Sequence, residues 1–280
     1  MNKIHSIVVL YNPTADNIEN LKKIASISDK MLLIDNSEAI TVLTGCDEMN
    51  FEYIKNDENI GLSKALNLGI RKCLNNADCT HIALFDQDSV PDKNMFVRLM
   101  IELDKSDETV VAASPQILDV KNKNGQNVKE TEIVDVVITS GSFYPKQALK
   151  KVGLMDETLF IDYIDYEWCL RAKSKGYKIV RVNGAHLYHN MGDSFVDFFG
   201  TSKPIHTNKL RHYYIVRNQL IMLNRDYISI KWKCVHTFKL FYRIPSYIIL
   251  SNEKWTTFKF ILKAIKDAFA NRREYKEMKY

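Results

Sequence analysis

The chain has 280 residues, 46% hydrophobic and 26% charged, which is the composition of a folded protein and excludes a low-complexity, repetitive or disordered one. Its net charge of +5 is unevenly spread: residues 206–280 hold 16 Lys and Arg against 5 Asp and Glu, leaving residues 1–205 acidic. Five cysteines, an odd number without CxxC spacing, argue against a disulfide framework or a zinc site and are read as small apolar residues of a reducing compartment.

In chain order, Met1–Ser6 lacks the apolar stretch and cleavage site of a signal peptide, so an intracellular protein is expected. Strands are expected at Ser6–Tyr11, Met31–Asp35, Phe51–Lys55, His81–Phe85 and Thr109–Ala113. Pro13-Thr14 starts a first helix, with Ile18, Leu21, Ile24 and Ala25 on one face. A second helix follows Asn59-Ile60-Gly61, with Leu62, Ala65, Leu66, Gly69, Ile70 and Cys73 on its apolar side, and Pro91-Asp92 begins a third. This alternation predicts an α/β fold, a mainly parallel sheet flanked by helices. Polar Asp119–Glu132 reads as an exposed loop or hairpin, an apolar strand from Ile133 ends at Thr139-Ser140-Gly141-Ser142, and a helix runs from near Asp165 to the Gly176 stop. Within that helix Glu167 and Arg171 lie one turn apart and can pair. A further strand is expected at Lys178–Val182.

Two stretches carry chemistry. The apolar run His81–Phe85 ends in Asp86-Gln87-Asp88-Ser89. A buried strand thus delivers two acids to the carboxyl edge of an open sheet, where ligands bind. Two carboxylates there repel unless a proton or a hard divalent cation intervenes. Downstream, Phe160–Arg171 crowds Asp162, Asp165 and Glu167 among aromatic residues. The plain alternatives are a solvated strand-end turn for Asp86 and Asp88, an acidic first helical turn for the second cluster, and a hydrogen-bonded histidine for His189. Asn59, Gly61 and Asn67 equally fit a turn and helix cap.

Taken in order, Val8–Asn12, Ile34-Asp35-Asn36-Ser37, Asn59-Ile60-Gly61 leading to Asn67, Asp86-Gln87-Asp88-Ser89, Phe160–Arg171 and Tyr188-His189-Asn190-Met191-Gly192 resemble the family 2 glycosyltransferases with a GT-A fold. The wording of the two acidic stretches resembles their bacterial rhamnosyltransferase-like members. The likeness covers about residues 4–220. It implies that Tyr11, Asn12, Asp35, Asn36, Asn59, Gly61, Asn67, Asp86 and Gln87 bind the nucleotide sugar, with Asp35 accepting a hydrogen bond from the base. It implies Asp88, His189 and Asp86 as ligands of Mg²⁺ or Mn²⁺, and Asp165 as the base of an inverting transfer. Asp162, Trp168, Ser140 and Gly141 would meet the acceptor, with Asp162 also a rival base. The expected reaction moves L-rhamnose from its dTDP-activated form to a saccharide, lipid-linked acceptor of a bacterial surface polysaccharide. UDP-galactose, UDP-galactofuranose or another nucleotide sugar is the alternative donor.

The expected domains are 1–205, catalytic and nucleotide-sugar-binding, and 206–280, a basic, aromatic, helical extension. Lys254–Ala270 reads as an amphipathic helix bearing Trp255, Phe258, Ile261, Leu262, Ile265 and Phe269, suited to packing on the main domain, to a homodimer contact or to peripheral attachment at the inner membrane face. No nucleic-acid-binding motif is present. Two rival functions stand beside the transferase: a phosphatase of the haloacid dehalogenase type, with Asp86 as nucleophile and Asp88 as acid/base, and a non-catalytic assembly subunit. The several strand–helix units before Asp86 count against the phosphatase, whose motif closes the first strand of its fold.

Overall fold

The computed structural model describes residues 2–119, 130–189, 194–198, 201–205 and 209–270. The residues pack as two compact units, Met1–Met155 with Trp168–Asn190, and Asp156–Glu167 with Met191–Tyr280. These limits differ from the division expected at residue 205, because the acidic 156–167 segment packs with the C-terminal helices.

The first unit opens with β1 (Ile4–Leu10), α1 (Ala15–Ala25), β2 (Lys30–Asp35), β3 (Phe51–Lys55), α2 (Leu62–Asn75) and β4 (His81–Asp86). β1 is buried along its whole length, as a strand covered on both faces must be. Thr14 caps α1 in a reciprocal capping box with Asn17, which fixes where the helix starts. Gly69 lets α2 lie against β1, since a Cβ there would stand 2.6 Å from Cγ2 of Ile7. The four strands pair in parallel in the order β3-β2-β1-β4.

Next come β5 (Val90–Pro91), α3 (Met95–Lys105), β6 (Val110–Asp119), β7 (Thr131–Val134), β8 (Phe143–Pro145), α4 (Lys146–Val152), α5 (Ile164–Ser174) and β9 (Lys178–His189). The nine-stranded sheet continues as β4-β8-β6-β9-β5, with β7 on β9. β8 runs antiparallel to both neighbours, and β5 and β7 are antiparallel to β9, so the sheet is parallel in its first half and mixed beyond it. Two expectations are corrected. Pro91 lies in β5 at the sheet's end, where a missing N–H is tolerated, and the third helix starts only at Met95. The strand expected from Ile133 stops at Val134, and the chain then turns at Gly141 (φ 78°), where Gly141 N–H donates to Leu84 O at 2.8 Å and Ser142 O accepts from Leu84 N. Most of the polar stretch 119–132 lies outside the described residues, as do Asn190–Gly192. The core sits between sheet and helices, with Val8, Leu10, Leu21, Ile24, Leu33, Phe85, Phe96, Phe143 and Leu187 among its members.

The second unit contains the hairpin β10 (Ser194–Phe198) and β11 (Thr201–Ile205), then α6 (Lys209–Leu223), α7 (Ile230–Leu250) and α8 (Lys254–Phe269). Its core joins Tyr213, Tyr214 and Val216 of α6, Leu240 of α7, and Phe260, Ile261 and Ala264 of α8, with Phe160 and Ile161 packed against them. Among the described residues no helix is long and apolar enough to cross a membrane. Cys46, Cys73, Cys79 and Cys169 are buried, while Cys234 on α7 is exposed.

Candidate active site

Parallel pairing brings the carboxyl ends of β1, β2 and β4 side by side: Leu10 is in register with Asp35, and Val9 with Asp86. The buried Asp35 accepts hydrogen bonds from Ser37 N (2.8 Å), Thr41 N (3.3 Å) and Tyr53 Oη (2.5 Å). Burial alone would raise its pKa, but hydrogen bonds from Ser37, Tyr53 and Thr41 outweigh that and hold the carboxyl below its usual range.

The neighbouring residues build this edge. Asn36 joins three elements: its N–H donates to Leu10 O, its Nδ2 to Gly61 O, and its Oδ1 accepts from Asn56. Asn12, at φ 45°, donates its N–H to Ser37 Oγ at 2.7 Å. Tyr11 is exposed, and Gln87 pairs with its backbone, Oε1 accepting from Tyr11 N at 2.8 Å and Nε2 donating to Tyr11 O at 3.2 Å. Asn59 Oδ1 accepts from Gly61 N in a turn that opens α2 at Gly61, φ 84°. Asn67 is buried, and its amide bonds to both backbone groups of Met155, which fixes the 153–155 loop.

At the end of β4, Asp86, Asp88 and His189 offer ligand atoms that all lie within 4.8 Å of one another. His189 Nε2 is 3.0 Å from Asp86 Oδ2 and 3.6 Å from Asp88 Oδ1. Two carboxylates and an imidazole, part-exposed at a strand edge, form a donor set that fits a hard divalent cation. Behind them Ser140 Oγ accepts from Asp86 N at 3.1 Å and shares a hydrogen bond with Ser89 Oγ at 2.6 Å. Ser140 and Gly141 are buried, and a Cβ on Gly141 would meet Leu187 and Pro115 at 2.8 Å. Trp168 is buried too, its Nε1 donating to Gly153 O and its ring set edge-on to Tyr144. Ser140, Gly141 and Trp168, expected to meet the acceptor, are engaged in packing and in support of the strand end.

In the second unit the three acids separate by environment. Glu167 is buried and accepts from Tyr227 Oη at 2.6 Å. Arg171, in the first unit, donates to Val152 O and Leu154 O. Asp162 is paired with Arg211 at 3.2 Å and 3.3 Å. Asp165 is half-buried in the first turn of α5, where the helix dipole favours an anion, and its Oδ1 accepts from Tyr166 N at 2.8 Å. Asp162 and Tyr163 both adopt left-handed backbone, φ 64° and 65°. Asn218 Nδ2 holds that turn by donating to the carbonyls of Ile161 and Asp162, and the Tyr163 hydroxyl donates to Gln219 and accepts from Arg243. Sequence reading missed these holders; the signal for Asn218 and Gln219 is a run of polar residues, Arg217-Asn218-Gln219, set between apolar Ile215-Val216 and Leu220-Ile221.

The sequence profile described as Glycosyl transferase family 2 matches residues 7–164. The chain is 31% identical over 248 residues, 81% of its own length and 82% of the other's, to the protein named dTDP-rhamnosyl transferase RfbF of Shigella flexneri. It is 22% identical over 209 residues, 66% of each chain, to the low-salt glycan biosynthesis hexosyltransferase Agl10 of Haloferax volcanii. Among solved structures it is similar to S. aureus TarS 1-349, with a TM-score of 0.59 at 15% identity over 97% of this chain and 82% of that one. It is also similar to GalNAc-T7 crystallised with UDP, GalNAc and Mn²⁺, with a TM-score of 0.55 at 15% identity over 85% of this chain and 56% of that one. With its strand-edge acids on a GT-A fold, this chain belongs to glycosyl transferase family 2 and is a glycosyltransferase.

Proposed function

We propose that the chain transfers L-rhamnose from dTDP-β-L-rhamnose to a hydroxyl of a lipid-linked saccharide in the synthesis of a bacterial surface polysaccharide, with inversion at the anomeric carbon. The 31% identity to the dTDP-rhamnosyl transferase of Shigella flexneri carries the choice of donor. A nucleotide sugar fits the strand edge that Tyr11, Asn12, Asp35 and Asn36 build, with Asp35 accepting a hydrogen bond from the base N–H. Asp86, Asp88 and His189 would hold Mg²⁺ or Mn²⁺, which when bound supplies positive charge against the leaving diphosphate.

Asp165 acts as general base, because Glu167 is buried on Tyr227 and Asp162 is neutralised by Arg211. It accepts the proton of the acceptor hydroxyl while that oxygen attacks the anomeric carbon. The bond from that carbon to the diphosphate oxygen breaks, and its electron pair leaves with the nucleoside diphosphate.

The test is calorimetric titration of the full chain with dTDP, UDP and GDP, with and without Mn²⁺, on the wild type and Asp88→Ala. The expected result is Mn²⁺-dependent binding that prefers dTDP and is lost in the variant. A UDP preference would overturn the donor, and failure to bind any nucleotide would overturn the reaction.

A further inference from the structure

Helix α7 is apolar on two opposite sides. On one, His236 and Leu240 are buried, and Ile244, Tyr247 and Ile248 pack into the core of the second unit. Helical spacing places Phe238, Phe241, Tyr242 and Ile249 on the other, where they are 68%, 74%, 49% and 67% exposed. A helix on the surface of a soluble domain turns a polar face outward, and a contiguous exposed apolar patch marks an interaction site. On α8, Trp255, Leu262 and Phe269 recur every seventh residue and are 67%, 50% and 70% exposed, with Lys259 Nζ 5.5 Å from the Trp255 ring.

Charge selects the occupant. α7 carries Lys231, Lys233 and Lys239 and has no Asp or Glu; its one arginine, Arg243, is turned inward onto Tyr163 and Gln219. α8 carries Lys254, Lys259, Lys263 and Lys266, and its single acid, Asp267, is buried and bonded to Lys263 and Tyr213. A second copy of this face would set cations against cations. An anionic bilayer answers both features at once, taking the aromatic and aliphatic side chains into the headgroup boundary and the lysines among the lipid phosphates. Since no described helix can cross the bilayer, such a helix lies in its plane. We propose that the outward face of α7, Phe238, Phe241, Tyr242 and Ile249, aided by Trp255, Leu262 and Phe269 of α8, docks on an anionic lipid surface. The sequence alone draws attention to 254–270; the exposure of the α7 side chains moves the principal contact to α7. This inference stands whether or not the sugar is rhamnose.

The test is sedimentation of the full chain with vesicles of phosphatidylglycerol and phosphatidylcholine, or of phosphatidylcholine alone, alongside light scattering for oligomeric state. The wild type is expected to sediment with the anionic vesicles, weakly with the neutral ones, and less as salt rises. Phe238→Asp combined with Phe241→Asp is expected to lower anionic-vesicle binding by about tenfold or more with an unchanged melting temperature, because both side chains are exposed. Phe238→Leu with Phe241→Leu is expected to keep it. Wild-type protein that ignores anionic vesicles, or binding indifferent to the aspartates, would overturn the proposal. So would a dimer that the aspartates dissociate while vesicle binding persists, since the face would then belong to a second copy.

Discussion

His189 Nε2 stands 3.0 Å from Asp86 Oδ2 and 3.6 Å from Asp88 Oδ1, so one imidazole at the end of β9 faces both carboxylates at the end of β4. The imidazole supplies a nitrogen donor, a ligand that Mn²⁺ accepts more readily than Mg²⁺ does. His189→Ala is expected to weaken Mn²⁺-dependent nucleotide binding by about tenfold or more and to narrow the difference between the two ions. Calorimetry with each metal checks this, and unchanged affinity would remove His189 from the ligand set.

Asp165 and Asp162 make opposite predictions. Asp165→Asn is expected to leave nucleotide binding intact and to cut transfer by about 10²- to 10⁴-fold, the usual worth of a general base. Asp162→Asn breaks an ion pair with Arg211 at a largely buried site, so its main expected effect is a lower melting temperature. Measuring turnover and melting for both variants separates the roles; normal turnover by Asp165→Asn would transfer the base assignment to Asp162.

Asp35 links the binding edge to acid stability. Its folded-state pKa lies below the unfolded one, so its contribution is present above the unfolded carboxylate pKa of about 3.9 and is lost as pH falls through the folded value. Asp35→Asn is expected to destabilise the protein by about 1–3 kcal/mol at pH 7, with the gap to wild type closing below about pH 4. Urea unfolding of the two proteins at both pH values tests it, and a gap independent of pH would show that the charge is not what the three donors stabilise.

Gly69 permits the closest approach of α2 to β1. Gly69→Ala puts a methyl 2.6 Å from Ile7 Cγ2, and a loss of about 1–3 kcal/mol is expected. Ile7→Ala removes the obstructing atoms, so the double variant should be more stable than the sum of the single changes. Strict additivity in melting experiments would count against the clash.

The sequence showed most of what local chemistry dictates. Phe51–Lys55 and the start of α2 after Gly61 emerge with the expected bounds, and the Thr14 start holds because the cap is written in the side chains themselves. The acids at the end of β4 were legible because an apolar run stopping at Asp86 has one place to deliver them. What depended on distant partners was not. β9 runs on to His189, beyond the expected end at Val182, because its pairing with β6 shifts register between Pro115 and Gln116 and absorbs the extra residues. Trp168 and Asn67 carry side chains that look ready to meet a ligand, and only the backbone groups of Gly153 and Met155, far off in sequence, show them engaged. The left-handed pair at Asp162 and Tyr163 had no glycine to announce it.

That pair sets a limit on engineering. Two successive non-glycine residues at φ 64° and 65° each cost on the order of 1 kcal/mol or more, and Arg211, Asn218, Gln219 and Arg243 together keep them there. The 160–167 segment is therefore not a portable cassette. A chimaera that borrows this stretch from another transferase to change what the enzyme glycosylates would have to import the matching faces of α6 and α7 with it, and directed evolution confined to the segment would be searching a space those four side chains have already narrowed.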